Sequence, residues 1–185
     1  MRNRKKILQK QIEGFLRREQ LSKDEEYKKL EKPYSAKARK NFTVANVLFK
    51  ISENEDLRKT LNLASDFEMY DWVIIVSYYA MYASALSLLA KLDFKSKSHA
   101  ATIAVLEQYR INEGKENVKT LGTKEIQKLK KAYTLSEQLI IKLIETKAKR
   151  ETAQYNATPS ITREMAKTAL DDADEFITKI EEVLA

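Results

Sequence analysis

An all-α fold, an up-and-down antiparallel bundle of four or five helices with an extra N-terminal helical segment, is what this sequence predicts. Three observations carry it. The stretch Trp72 to Ala90 holds nineteen residues with no charge, no Pro and no Gly, and a helix apolar all round must be enclosed by protein or by lipid. The chain has only three Gly and two Pro among 185 residues, too few turn formers for sheets and tight hairpins. Elsewhere apolar residues recur at three and four positions between charges, which is the helical period.

Protein rather than lipid is the expected wrapping of the central helix. Tyr78, Tyr79 and Tyr82 fall in mid-segment, whereas membrane helices carry Tyr at their interfaces. Ala80, Ser84 and Ser87 form one line of small residues, and Ala83, Ser87 and Ala90 the next, so neighbouring helices could approach closely. No membrane partner is expected.

The elements follow in order. Residues 1–35 form an N-terminal extension, with residues 36–185 as the bundle. In the extension Ile7, Leu8, Ile12, Phe15 and Leu16 make a narrow apolar stripe. Ser22 with Glu25 reads as a capping box before a charged helix carrying Tyr27 and Leu30, closed by Pro33. From Ser35 a helix has Ala38, Phe42, Ala45 and Phe49 on one line and Val44, Leu48 and Ile51 beside it. It breaks near Ser52 to Asn54, where Ser52 and Glu55 could start a short helix. Beyond the central helix, Ser96 or Ser98 is the expected N-cap of a helix running through Ile103, Leu106 and Tyr109. A polar loop from Ile111 to Lys124 precedes the most regular segment, with Ile126, Leu129, Tyr133, Ser136, Ile140 and Leu143 on one face. Thr158 or Thr162 caps the last helix, which turns Ala166, Ala169, Ala173, Phe176, Ile180 and Val183 inward.

Composition limits the chemistry. There is no Cys and one His, which excludes disulfides, thiolate metal sites and poly-histidine sites, so neither a metal nor a cofactor is expected. A Ser/His/Asp triad would depend on His99. The basic N-terminus lacks an apolar h-region, so a cytoplasmic location is expected. Net charge is +7, and residues 1–10 carry five Lys or Arg and no acid. That bias suits an anionic partner such as nucleic acid, and equally a solvated surface.

The order DW, SYYAMYASALSLL, KSHAATIAVLEQY, KRETAQY and a last helix ending DADEFITKIEEVL resembles the HEPN domain superfamily. The likeness is to its small prokaryotic branch with a YYAMF central helix, and it covers about residues 36–185. The resemblance implies a HEPN-type bundle that dimerises through helices flanking a groove. It also implies partnership with a nucleotidyltransferase, as toxin and antitoxin, and contact with RNA or a nucleotide. Nuclease members carry an Arg, four to six residues, then a His. Here Arg150 is followed after four residues by Tyr155, so the Arg is kept and the His is absent.

The difference is chemical. Metal-independent RNA cleavage needs a group that takes the 2′-hydroxyl proton and one that protonates the leaving oxygen, and imidazole serves either. A Tyr with a pKa of about 10 is a poor base at neutral pH. Arg150 can still hold a phosphate in a bidentate fork. The ligand-binding candidates are therefore Arg150, Tyr155, Lys149, Lys147 and Tyr79, and any catalytic role would fall to Arg150, Tyr155 and His99. Each has a plainer reading. His99 packs at a helix start, Tyr79 is a core aromatic, and Lys147 and Lys149 answer the dipole of a helix end. Three functions remain in view: a nucleotide- or RNA-binding component, a structural interaction module, and a ribonuclease with an altered site.

Overall fold

The computed structural model of the chain describes residues 2–113, 127 and 161–185. The expected helix from Ile126 to Leu143, most of the loop before it, and Lys147, Lys149, Arg150 and Tyr155 lie outside the described residues. Helix α1 (Arg2–Arg17) is followed by a short strand β1 (Leu21–Lys23), a 3-10 helix (Glu25–Leu30), α2 (Glu31–Glu53) and α3 (Glu55–Thr60). Then come α4 (Tyr70–Lys91), β2 (Phe94–Ser96), α5 (His99–Glu113) and α6 (Arg163–Leu184).

α4 is the axis. It packs most extensively against α2 and then against α6. Val73, Ile74, Ser77, Tyr78, Met81, Ser84, Leu88 and Leu89 are all buried. Among the described residues it is the one helix long and apolar enough to cross a membrane, and 78% of its apolar window is buried inside the protein. Its first apolar residue, Trp72, is 47% exposed, so the enclosed rod begins one residue later than the sequence indicates. Both small-residue lines are buried as expected, and they bring Ala38 of α2 and Ile177 of α6 into one cluster with Ala80 and Ala83.

Polar clasps set the helix directions. Arg163, at the start of α6, pairs with Glu53 at the end of α2. Arg39, near the start of α2, donates from Nε to Glu181 at the far end of α6, at 2.8 Å. Those two helices are therefore antiparallel. The ring of Tyr70, opening α4, lies 6.1 Å from that of Phe49 near the end of α2, so α4 also runs against α2. The bundle is up-and-down.

Several local expectations are corrected. Pro33 does not close a preceding helix; it sits in the first turn of α2, which begins at Glu31 rather than Ser35. A first-turn N–H has no intrahelical acceptor, so its loss there costs nothing. Ser22 and Glu25 form no capping box: Ser22 lies in β1, which pairs antiparallel with β2 in the register Leu21↔Ser96. Asp24 is the cap instead, accepting from the Glu26 N–H at 2.9 Å. Leu21, only 1% exposed, draws this segment onto the core cluster that also takes Leu8 and Ile12 of α1. Asn54 rather than Ser52 caps α3, accepting from the Leu57 N–H at 3.0 Å. Ser52 is buried and joins α2 to α4, its Oγ accepting from the Met69 N–H at 2.9 Å. Val44 is 42% exposed, so the inward face of α2 is narrower than its pattern. The α6 cap is Thr162, whose Oγ1 accepts from the Met165 N–H at 3.3 Å.

At the α2, α4 and α6 junction, Tyr70 donates to Glu53 at 2.6 Å. The bond from Tyr70, helped by Arg163, holds the Glu53 carboxyl below its ordinary 4.5, against the pull of burial. Burial and the Glu53 bond push the Tyr70 phenol up to about 12. The signs follow. Glu53 stabilises the fold fully above 4.5, and that contribution is lost as pH falls through its depressed folded value. Tyr70 contributes fully below 10.0 and loses its share as pH rises through about 12. The melting-temperature gap between wild type and Glu53→Gln should therefore narrow between about pH 6 and about pH 3. A gap constant over that range refutes the coupling.

Candidate functional site

α4 presents three tyrosines in two directions. Tyr78 is buried toward α5, and Tyr79 is 42% exposed toward α2. Tyr82 touches both sides, because a helix brings residues i and i+4 to neighbouring positions.

On the α5 side the phenol of Tyr78 is hydrogen-bonded to Nδ1 of His99. The His99 ring lies 4.2 Å from the Tyr82 ring centroid and 5.4 Å from that of Tyr78. Thr102, buried one turn along α5, donates from Oγ1 to the Tyr82 hydroxyl at 3.5 Å and to the Ser98 carbonyl at 3.1 Å. Burial raises the Tyr82 phenol above its ordinary value, against the opposing bond from Thr102. It stays a protonated donor at neutral pH. Ser98 opens α5, its Oγ accepting from the Ala101 N–H at 3.5 Å. His99 is thus set between two tyrosines at a helix start, an arrangement that orients the Tyr82 ring.

On the α2 side lies a groove of about 380 Å³. Tyr34, Lys37 and Asn41 line it from α2, and Val76, Tyr79, Tyr82, Ala83 and Leu86 from α4. The α2 residues are spaced i, i+3, i+7 and four of the α4 residues i, i+3, i+7, i+10, so each set is one helix face. Ala83 leaves the space between them because it has almost no side chain to fill it. Among the described lining residues are aromatic faces, one ammonium and one carboxamide, with no carboxylate or imidazole. Such a groove can stack a flat ring, hydrogen-bond its edge and hold an anion.

Of the residues named from sequence, Tyr79 is in the groove and the His99 ring lies behind it, tilted against Tyr82. Arg150, Tyr155, Lys147 and Lys149 lie outside the described residues. Tyr34, Lys37 and Asn41 were missed. Their signal was the helical spacing beside the Ala38, Phe42 and Ala45 stripe, but polar residues flanking an apolar stripe look like ordinary solvated surface. Among the described residues no group of three or more His, Cys, Asp or Glu could hold a metal ion.

Comparison with known proteins gives one finding: the family model for the HEPN domain matches residues 47–183. That span holds α4, α5 and nearly all of α6, and it leaves out α1, the β1 segment and the start of α2. No curated protein sequence matches the chain.

Proposed function

The chain belongs to the HEPN domain family, and on that premise we propose that it is a nucleotide- or RNA-binding component of a toxin–antitoxin or nucleotidyltransferase-associated system. It acts in the cytoplasm as a homodimer beside a nucleotidyltransferase. The observation that carries the reading is the groove in which Tyr34, Tyr79 and Tyr82 surround one lysine, Lys37. A base stacks on the exposed Tyr79 ring, and Lys37 meets the phosphate as a point charge. Arg150 is the further anion contact, with Tyr155 beside it.

Calorimetric titration of the full chain with ATP, and separately with a short RNA, tests this. Tyr79→Ala should weaken binding by about 1–3 kcal/mol for the lost stack, and Lys37→Gln by a smaller, salt-dependent amount. Equal affinity in wild type and Tyr79→Ala overturns the groove as the base site. Unchanged affinity in Arg150→Ala removes that residue alone.

A further inference from the structure

Helix α1 lies outside the family match and carries a feature that the groove does not use. Between α1 and α5 opens a cleft of about 680 Å³, lined from α1 by Lys10, Gly14, Arg17 and Arg18 and from α5 by Ala100 and Glu107 among others. Positions 10, 14 and 17 share one face of the helix, and Arg18 follows its last residue. We propose that this cleft binds the phosphate backbone of single-stranded RNA. The proposal rests on the reading above only in choosing RNA over another nucleic acid.

Within the described residues some cations of the bundle are neutralised by acids, and some, in α1 as in other elements, are not. Arg39, Arg163, Lys28, Lys91 and Lys167 each have a carboxylate partner. Among the described residues Lys10, Arg17 and Arg18 have none; Arg18 donates only to the Gln20 amide, at 3.3 Å, and lies over the Phe15 ring. Among the described lining residues, three cations therefore share the cleft with one carboxylate, that of Glu107. The first turn of α1 also contains no acid, although cations near a helix N-terminus oppose the dipole. The dipole accounts for Arg17 and Arg18 at the other end, and not for Lys10 or the basic start. Nor does the fold need glycine at position 14: a Cβ there would meet nothing closer than an Arg18 guanidinium nitrogen at 3.5 Å. A helix-interior glycine weakens its helix, and here Gly14 is buried beneath the Arg18 guanidinium.

The chemistry favours a strand of phosphates over a lipid surface. A membrane-binding helix keeps an apolar face to insert, whereas Leu8 and Ile12 are buried and Phe15 and Leu16 pack on the same core. Adjacent guanidinium forks match phosphate oxygens two at a time.

The test is fluorescence anisotropy of the full chain with a labelled single-stranded RNA, from about 50 to about 200 mM salt. Wild type should lose affinity steeply with salt. The double variant Arg17→Gln, Arg18→Gln keeps the aliphatic stems and the melting temperature, and should lower the log–log salt slope by about 1.4, from roughly 0.7 per phosphate contact on a single strand. It should also cut affinity at least tenfold and leave ATP titration unchanged. Tyr79→Ala should leave the RNA slope unchanged, so failure of the groove and failure of the cleft are told apart. The proposal is overturned by a double variant with wild-type slope, by wild type that does not bind the RNA, or by tighter binding to phosphatidylserine vesicles or polyglutamate than to RNA.

Discussion

Replacing Phe176 with Ala should destabilise the protein by about 3–5 kcal/mol, the cost of deleting a buried ring and leaving a hole that neighbours only partly fill. Phe176 is fully buried, in the same cluster as Met81, Ala85, Leu88 and Leu89 of α4 and Ala173 and Ile180 of α6. Ala85 and Ala173 cannot swing in to refill the space, while Met81, Leu88 and Leu89 can do so only in part. For a chain of this length the melting temperature should fall by on the order of 10 °C. In urea the midpoint should drop with the slope unchanged. Should the Ala variant fail to fold, Phe176→Leu, which keeps much of the volume, should show a smaller loss in the same direction. A loss below about 1 kcal/mol for Phe176→Ala would mean that α4 and α6 are not closely packed here.

The second large effect comes from adding atoms. Ala38 and Ala80 are both 0% exposed and share a cluster with Ala83 and Ile177 where α2, α4 and α6 meet. Leucine at position 38 has no space there, so Ala38→Leu must force the helices apart or drive side chains off their rotamers, at about 1–3 kcal/mol. Ala36 is exposed on the same helix. Ala36→Leu should stay within about 0.5 kcal/mol and serves as the control for helix propensity. Equal melting temperatures for the two variants would show that the close approach of the helices is not what the small residues supply. Arg39 lies one residue from Ala38 and ties α2 to Asp174 and Glu181, so its ion pairs should weaken in Ala38→Leu.

Legibility differed from segment to segment, for physical reasons. The burial of α4, and that of Ala166, Ala173, Phe176 and Ile180 in α6, followed from patterns that extend over five turns or more, though Leu170 and Ile177 are buried as well. The cap of α6 was legible as Thr158 or Thr162, since a hydroxyl before a periodic run favours that role, and the structure has Thr162 there. Pro33, Ser22 and Ser52 misled. Each is a short-range signal, and each was overridden by where the chain was held from outside: Leu21 on the core, the pairing of β1 with β2, and Met69 on the Ser52 hydroxyl. A three-residue strand with no alternation long enough to register has no sequence signature. The candidate site divides in the same way. Tyr79 could be named from the aromatic run, but its outward direction, opposite to Tyr78, depends on which faces of α4 are covered by α2 and α5.

By itself the sequence determined that this protein is a helical bundle around one uncharged helix, because nineteen apolar or small residues in a row leave no face for water, and the 3.6-residue period of the other segments supplies their covering. Only the tertiary structure decided that Tyr34, Lys37 and Asn41 face Tyr79 across a groove, and that Lys10, Arg17 and Arg18 line a cleft against α5 with no carboxylate partner among the described residues. Both depend on the rotation and spacing of two helices distant in sequence, which packing sets and no local pattern encodes.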